Sequence, residues 1–242
     1  MVAFTAAVII GGFALFTLTG AVFCWASLHV PRRLGPTPPN AVTVTVVAGD
    51  TVNLSAWWLQ PAKPNGNCVI VLHGIADSRV STVGFAPMFL DQGYAVLLPD
   101  SRGHGASEGR FVTYGLLEKY DVIVWANWMK TAGCHKLYGL GESLGASILI
   151  EAAAIQPAFA AIVAECPYAD LKETAEYRAR QMLRIPAFLA GPAATIAVNS
   201  GMFYASWAYG LNFRQVSPIR SIARASSPIL LIHGLDDFRT RI

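Results

Sequence analysis

Short, fully apolar segments alternate with helix-length segments along most of this chain, and this alternation limits its fold more than any other feature. The apolar segments lack the polar–apolar alternation of a strand that is exposed on one face. They are typical of parallel strands buried on both faces, with helices between them. The pattern therefore predicts an α/β fold in which helices cover both faces of a mostly parallel, twisted sheet. The predicted strands are residues 68–72, 94–98, 137–140, 160–164 and 229–232, and the predicted helices are residues 85–89, 117–128 and 144–155.

An antiparallel pair of strands is predicted before this pattern begins. Residues 42–46 and 52–56 alternate between apolar and polar side chains, as strands with one solvated face do. Gly49 and Asp50 lie between the two segments and are typical of a two-residue hairpin loop.

Composition excludes several classes of protein. The chain has 242 residues, which suits one domain with a sizeable core. Its hydrophobic fraction of 54% and charged fraction of 14% exclude disordered, collagen-like and coiled-coil proteins. A net charge of +3 without a basic run argues against a nucleic-acid partner.

The first 31 residues contain no Asp, Glu, Lys or Arg. As a helix, residues 2–30 would be about 40 Å long, which exceeds the ~30 Å hydrocarbon core of a bilayer. Arg32 and Arg33 follow this stretch, whereas a secretory signal peptide carries its positive charge before the apolar run. We therefore predict a single uncleaved transmembrane helix within residues 1–31. The positive-inside rule then places the rest of the chain in the cytoplasm.

Two further segments complete the predicted organisation. Residues 32–41 are rich in proline and are predicted to be a stiff linker that lifts the domain of residues 42–242 off the membrane. Residues 185–213 carry no charge. A second membrane span there would put the strand at 229–232 on the wrong side of the membrane, and Pro192 and Gly201 are expected to break a helix. We predict an apolar cap over the site, with ordinary packing helices as the alternative.

The four cysteines are Cys24, Cys68, Cys134 and Cys166, and they form neither a CxxC pair nor a metal-binding spacing. We expect buried thiols in a reducing compartment. No metal and no organic cofactor is predicted.

The sequence Gly141-Glu142-Ser143-Leu144-Gly145 connects a predicted strand to a predicted helix. In that context a G-x-S-x-G motif is typical of a sharp turn that presents the serine oxygen to a substrate, with helix N–H groups facing a developing oxyanion. The alternative is a glycine-rich turn with an idle serine.

Four segments in this order resemble the α/β-hydrolase superfamily, and its serine aminopeptidase-like and monoacylglycerol-lipase-like branch in particular. They are residues 71–74, 99–107, 141–145 and 229–237. The resemblance implies that Ser143 is the nucleophile and that the N–H groups of Ile75 and Leu144 bind the oxyanion. It implies structural roles near the site for His73, Gly74, Gly141 and Gly145.

The resemblance also implies that Asp237 is the acid that orients a histidine base, with Glu165 as a minor alternative. Asp170 is expected to cap a helix. Within residues 99–107, Asp100 and Arg102 are expected to pair, and His104 is expected to be structural.

A base is the missing part of the expected triad, because the family's histidine follows the acid and the chain stops five residues after Asp237. One explanation is a truncated or disrupted gene product without its last strand, base and helix. Another is that His104 or His73 has replaced the base, and a third is a non-catalytic relative.

We predict a membrane-anchored serine hydrolase that cleaves an ester, thioester or amide of a fairly apolar, small-molecule or lipid-like acyl substrate. The alternative is an inactive protein of the same fold.

Overall fold

The structure is a computed structural model that describes residues 2–237. Seven strands form one sheet in the order β1-β2-β4-β3-β5-β6-β7. The strands β3 to β7 are parallel, whereas β2 pairs antiparallel with both β1 and β4. The strands are β1 (Val42–Val47), β2 (Asn53–Leu59), β3 (Asn67–Leu72), β4 (Ala95–Pro99), β5 (Lys136–Glu142), β6 (Ala161–Glu165) and β7 (Ile229–Ile232).

Eight α-helices and two short 3₁₀ turns (Val83–Phe85 and Phe213–Gln215) lie within the described range, and seven of the helices connect consecutive parallel strands. They are α1 (Val2–Leu28), α2 (Arg79–Thr82), α3 (Ala86–Leu90), α4 (Glu118–Thr131), α5 (Leu144–Ala153), α6 (Leu171–Met182), α7 (Ala187–Tyr209) and α8 (Pro218–Ile222).

Helices cover both faces of the sheet, as predicted. Neighbouring residues of β3 point to opposite sides, so Ile70 joins one apolar cluster and Val69 and Val71 join another. The first cluster contains Trp125 of α4 and Ile148 of α5. Burial on both faces explains why β4, and β3 after its first residue, are apolar throughout, and it confirms the predicted α/β arrangement of a mostly parallel sheet between helices.

The connection between β1 and β2 is longer than predicted. Residues 48–52 form the loop, in which the Thr51 N–H donates to Ala48 O (2.9 Å) and the Ala48 N–H donates to Val52 O (2.8 Å). Thr51 adopts a φ of 67°. Gly49 and Asp50 are thus the central residues of the turn, but Thr51 adds a third residue before the chain reaches Val52, so the prediction of a two-residue loop is wrong.

The N-terminal helix α1 packs against α7 rather than standing alone. A Cβ on Gly20 would lie 2.4 Å from Ser200 O, and a Cβ on Gly201 would lie 2.6 Å from Phe23 Cδ1. Glycine is therefore required for this close crossing. The window Gly11–Leu28 is mostly exposed, and it is long and apolar enough to cross a membrane, which is also true of signal sequences.

The proline-rich segment after α1 folds back onto the domain. The Arg32 guanidinium donates to the carbonyl oxygens of Gly105 (3.2 Å), Gly109 (2.9 Å) and Ser107. The Val112 N–H also donates to Leu28 O (3.0 Å). The predicted spacer is therefore wrong, since these contacts hold the end of α1 against the domain.

Helix α7 is continuous through Pro192, contrary to the expected break. Pro192 lies in the second turn, where its missing N–H affects only the bond to the carbonyl of the exposed Phe188. Gly201 serves the crossing with α1 and does not interrupt the helix.

Cys68 and Cys134 form a disulfide with a Cα–Cα distance of 5.8 Å, while Cys24 and Cys166 are free. The expectation of four unpaired thiols is therefore wrong. The bond joins the start of β3 to the residue two positions before the neighbouring strand β5. It could not be read from the sequence because 66 positions separate the two cysteines.

Candidate active site

Ser143 lies in a strained turn between β5 and α5. Its backbone has φ 52° and ψ −109°, a region that residues with side chains rarely adopt. The Ser143 N–H donates to Glu165 O at the end of β6 (2.8 Å), which holds the turn against the neighbouring strand. Helix α5 begins at the next residue. The geometry is that of a strand–turn–helix in which the serine stands at the carboxyl edge of the sheet.

Two glycines make this turn possible. A Cβ on Gly141 would lie 2.5 Å from Ala146 N, and a Cβ on Gly145 would lie 2.4 Å from Leu72 O. Both clashes are with backbone atoms, so no rotation of a side chain relieves them. The first turn of α5 therefore packs directly on the end of β3.

Gly74 and Ile75 follow β3 and lie beside this turn, since a Cβ on Gly74 would lie 3.7 Å from Ser143 Cβ. Within residues 2–237, the N–H groups of Ile75 and Leu144 donate to no protein acceptor, whereas the N–H of Ala76 donates to His104 Nε2 (3.2 Å). Two unengaged amides beside a serine are what an oxyanion hole requires.

His73 is fully buried, and both of its ring nitrogens contact backbone groups. The Ser101 N–H donates to Nε2 (3.1 Å), so Nδ1 carries the proton and donates to Gly74 O (2.7 Å). Burial lowers the pKa of His73. The imidazole is therefore neutral at pH 7 and fixes the loop that carries Gly74.

His104 is bound in the same way. Its Nε2 accepts from the Ala76 N–H, and its Nδ1 lies 3.1 Å from Arg102 O. Burial, together with the neighbouring His73, lowers the pKa of His104 to about 4. The ring nitrogens of both histidines thus contact backbone groups and not the Ser143 hydroxyl.

Asp100 pairs with Arg79 and not with Arg102. Its carboxylate accepts from the N–H groups of Arg79 and Ala106 (both 2.8 Å), and the Arg79 Nε lies 3.3 Å away. A Cβ on Gly105 would lie 2.2 Å from the same carboxyl carbon. The expected pairing of Asp100 with Arg102 is wrong, because Asp100 faces inward against the loop after β3.

Arg102 instead joins two elements that are distant in the sequence. It donates to Asp121 of α4 (2.7 Å) and to Asp50 of the first hairpin loop (2.7 Å). Burial raises the pKa of Asp121 to about 6 although Arg102 opposes this shift. Sequence reasoning missed these two ion pairs because no local spacing connects Arg102 with Asp50 or with Asp121.

Asp237 lies after β7, at the same edge of the sheet as Ser143. The Cys166 N–H donates to Ile232 O (2.7 Å), so the residue after Glu165 is tied to the end of β7. Asp237 Oδ2 lies 3.6 Å from His233 Nε2. The carboxyl ends of β5, β6 and β7 are therefore joined side by side, with Asp237 beside the last of them.

Glu165, the alternative acid, and Asp170, the expected helix cap, have other surroundings. Glu165 faces Glu142 across β5 and β6, and burial with this like charge raises the pKa of Glu142. Asp170 caps α6 and accepts from the N–H groups of Lys172 (3.0 Å) and Glu173 (3.3 Å). The predicted capping role of Asp170 is confirmed.

A family model described as serine aminopeptidase, S33, matches residues 63–197, which is more than half of the chain and includes the Ser143 turn. The chain belongs to the serine aminopeptidase S33 family. This is a family of serine-hydrolase-like enzymes. The match confirms the resemblance seen in the sequence motifs.

Two of the relatives that match this chain are uncharacterised bacterial proteins. The uncharacterised protein YqkD of Bacillus subtilis is 33% identical over 71% of this chain and 55% of its own length. The uncharacterised protein Rv2307c of Mycobacterium tuberculosis is 28% identical over 63% of this chain and 58% of its own. The chain thus spans about half the length of the curated relatives it matches.

Among solved structures, the Pyrococcus furiosus esterase Pf2001 superposes with a TM-score of 0.70 at 25% identity. The match covers 89% of this chain and 80% of the esterase. The sheet and its helices are therefore those of an α/β hydrolase.

Proposed function

We propose that this S33-family chain is a serine hydrolase that forms an acyl-enzyme on Ser143 and cleaves an ester, thioester or amide. The observation that supports this most directly is the strained Ser143 turn, next to two amides that donate to no acceptor in the described part of the chain. Backbone strain of this kind is retained where the surrounding structure enforces it, most often at functional sites.

In the proposed reaction the Ser143 hydroxyl gives its proton to an imidazole base while Oγ bonds to the substrate's carbonyl carbon. The carbonyl oxygen becomes an oxyanion that accepts from the N–H groups of Ile75 and Leu144. One such donor is worth about 10²–10³ in rate, or ~3 kcal/mol. Collapse of the intermediate expels the alcohol, thiol or amine with the proton from the base, and water then releases the acid by the reverse sequence.

Asp237 is the proposed carboxylate that orients the base and stabilises its cation. Its position beside the ends of β6 and β7 supports this role. No step is assigned to a metal or an organic cofactor.

The exposed side chains of helix α7 support two parts of our proposal, which are an apolar, lipid-like substrate and contact with a membrane. Four large apolar side chains, Phe188, Ile196, Phe203 and Trp207, are exposed within about 100° on a helical wheel, together with the smaller Pro192 and Ser206. The opposite face is buried and consists of Ala194, Val198 and Ala205. Helices exposed to water normally present polar groups there. Because α1 crosses α7 and is itself apolar, we propose that α1 anchors the chain in a bilayer and that α7 rests against the lipid.

Two observations bear on which side of the membrane the domain faces. Arg33 and Arg32 favour the cytoplasm by the positive-inside rule, but Arg32 also has a structural role in holding the loop around Ser107. The Cys68–Cys134 disulfide favours an oxidising compartment. We propose the oxidising side, which departs from the cytoplasmic prediction made from sequence.

A reporter fused after the last residue tests this placement. Alkaline phosphatase becomes active only in an oxidising compartment. Green fluorescent protein does not become fluorescent when it is exported in the unfolded state, so its fluorescence reports a fusion that stays in the cytoplasm. The proposal expects an active phosphatase fusion and a dark fluorescent one. The opposite pair of results would place the domain in the cytoplasm.

The competing proposal is a non-catalytic protein of the same fold, which the unassigned base favours. A fluorophosphonate probe separates the two, since it reacts covalently with an activated serine. We expect labelling of the wild-type chain, mapped to the peptide that contains Ser143, and its loss in Ser143→Ala. Ser226→Ala, at an exposed serine away from this turn, is the control. A folded wild-type chain that is not labelled, or labelling that persists in Ser143→Ala, would contradict the hydrolase proposal.

A further inference from the structure

Three side chains of different chemistry meet beside the proposed active site. Cys166, His233 and Asp237 each offer one donor atom, and these atoms all lie within 4.8 Å of one another. All three side chains are partly exposed. Sequence reasoning found no metal-binding spacing because Cys166 is 67 positions before His233.

The fold holds these donors in place from two strands. Cys166 follows β6 in a backbone conformation with φ 47°, and its N–H donates to Ile232 O at the end of β7 (2.7 Å). The Asp237 carboxylate and the His233 ring both lie within 4.8 Å of the Cys166 sulfur. The cluster is therefore built by strand pairing and not by one flexible loop.

The donor set suits zinc. A thiolate, an imidazole and a carboxylate are its usual protein ligands, at ~2.0–2.3 Å, and three of them with a water complete a tetrahedral site. Ligand atoms around such an ion are about 3.3–3.8 Å apart, so small side-chain rotations bring the three atoms to coordinating distance.

We propose that Cys166, His233 and Asp237 bind Zn²⁺ and that the bound ion inhibits the hydrolase. Coordination occupies the Asp237 carboxylate, which then no longer orients the base. The inhibitory effect rests on the proposed function, whereas the binding site does not.

Cobalt(II) is the probe for the binding site, because a Co²⁺–thiolate bond gives a charge-transfer absorption that carboxylates and imidazoles alone do not. The full chain is titrated with Co²⁺ while the Cys68–Cys134 disulfide is kept oxidised, and Zn²⁺ is then added as a competitor. We expect the thiolate band to appear at one equivalent of Co²⁺ and to disappear as Zn²⁺ displaces it.

Variants assign the ligands. Cys166→Ser is expected to abolish the band, and His233→Gln is expected to weaken Zn²⁺ binding by about tenfold or more. His135→Gln, an exposed histidine elsewhere on the surface, is the matched control and should leave the affinity unchanged. Circular dichroism and thermal melting verify that each variant is folded, and His233→Gln keeps the test decisive if Cys166→Ser does not fold.

The outcomes separate the site from the activity. Absence of a thiolate band in the wild type, or equal affinities of wild type, Cys166→Ser and His233→Gln, would overturn the zinc site. Fluorophosphonate labelling without zinc tests the hydrolase independently. If labelling occurs and saturating Zn²⁺ does not slow it in the wild type, the inhibitory role is overturned even where the ion binds.

Discussion

Two glycines leave no room for a side chain at the turn that carries Ser143, and the constraint is sharpest at Gly145. A methyl group there would lie 2.4 Å from Leu72 O, between a helix and a strand that are both held by neighbouring hydrogen bonds. The turn adopts this geometry because Gly145 has no Cβ atom, and this requirement holds whether or not Ser143 is reactive.

We expect Gly145→Ala to lower the free energy of unfolding by about 1–3 kcal/mol, because α5 must move away from β3. Gly84→Ala is the matched control, since nothing lies within 4 Å of a Cβ built there. Urea unfolding measures both. Equal stability of the two variants would show that α5 does not pack as closely on β3 as the structure has it.

The two buried histidines predict a pH dependence. The pKa of His104 is lowered from 6.5 to about 4 by burial. The unfolded chain therefore binds the proton first, so the stability that the neutral imidazole contributes is complete above pH 6.5 and is lost as the pH falls toward 4. A shift of this size corresponds to ~3 kcal/mol.

The test compares the free energy of unfolding at pH 7 and pH 5 in the wild type and in His104→Gln. The pKa of Asp121 is raised, so this group makes the free energy of unfolding change with pH in the opposite direction. Because Asp121 is present in both proteins, the difference between them reports the contribution of His104. We expect a smaller loss of stability on acidification in His104→Gln. The same loss in both proteins would contradict a buried neutral imidazole.

At the scale of elements, the close crossing of α1 and α7 is the packing that local patterns could not reveal. Each helix is uncharged, and each was predicted to have its own role as anchor or cap. Gly20 and Gly201 let the two backbones approach, as small residues do between helices in membranes. The helix predicted to be an anchor and the helix in the predicted cap segment thus form one packed unit.

We expect Gly20→Val to weaken this crossing by about 1–3 kcal/mol, because its side chain would meet the Ser200 backbone. Gly12→Val on the same helix is the control, as nothing lies within 4 Å of a Cβ there. Thermal unfolding of the detergent-solubilised chain reports the difference. If both variants melt at the same temperature, α1 does not pack on α7.

At the scale of the whole molecule, the sequence predicted those structural features that depend only on residues close to one another along the chain. The Asp170 cap and the strand–turn–helix at Ser143 each follow from a few adjacent residues, and the buried strands follow from their apolar runs. The disulfide, the Arg102–Asp121 pair and the fold-back of Arg32 join distant segments instead. Such contacts depend on which elements become neighbours in space, and a single sequence does not record that.

The central claim is that Ser143 carries an acyl group during the reaction, and its most direct test is a burst experiment. A p-nitrophenyl ester of a medium-length fatty acid is mixed with the chain at high protein concentration, and the acid-quenched protein is analysed by mass spectrometry. We predict up to one equivalent of p-nitrophenol in a rapid phase and an acyl adduct on the peptide that contains Ser143, both absent in Ser143→Ala. A folded wild-type chain that shows neither a burst nor an adduct would contradict the account.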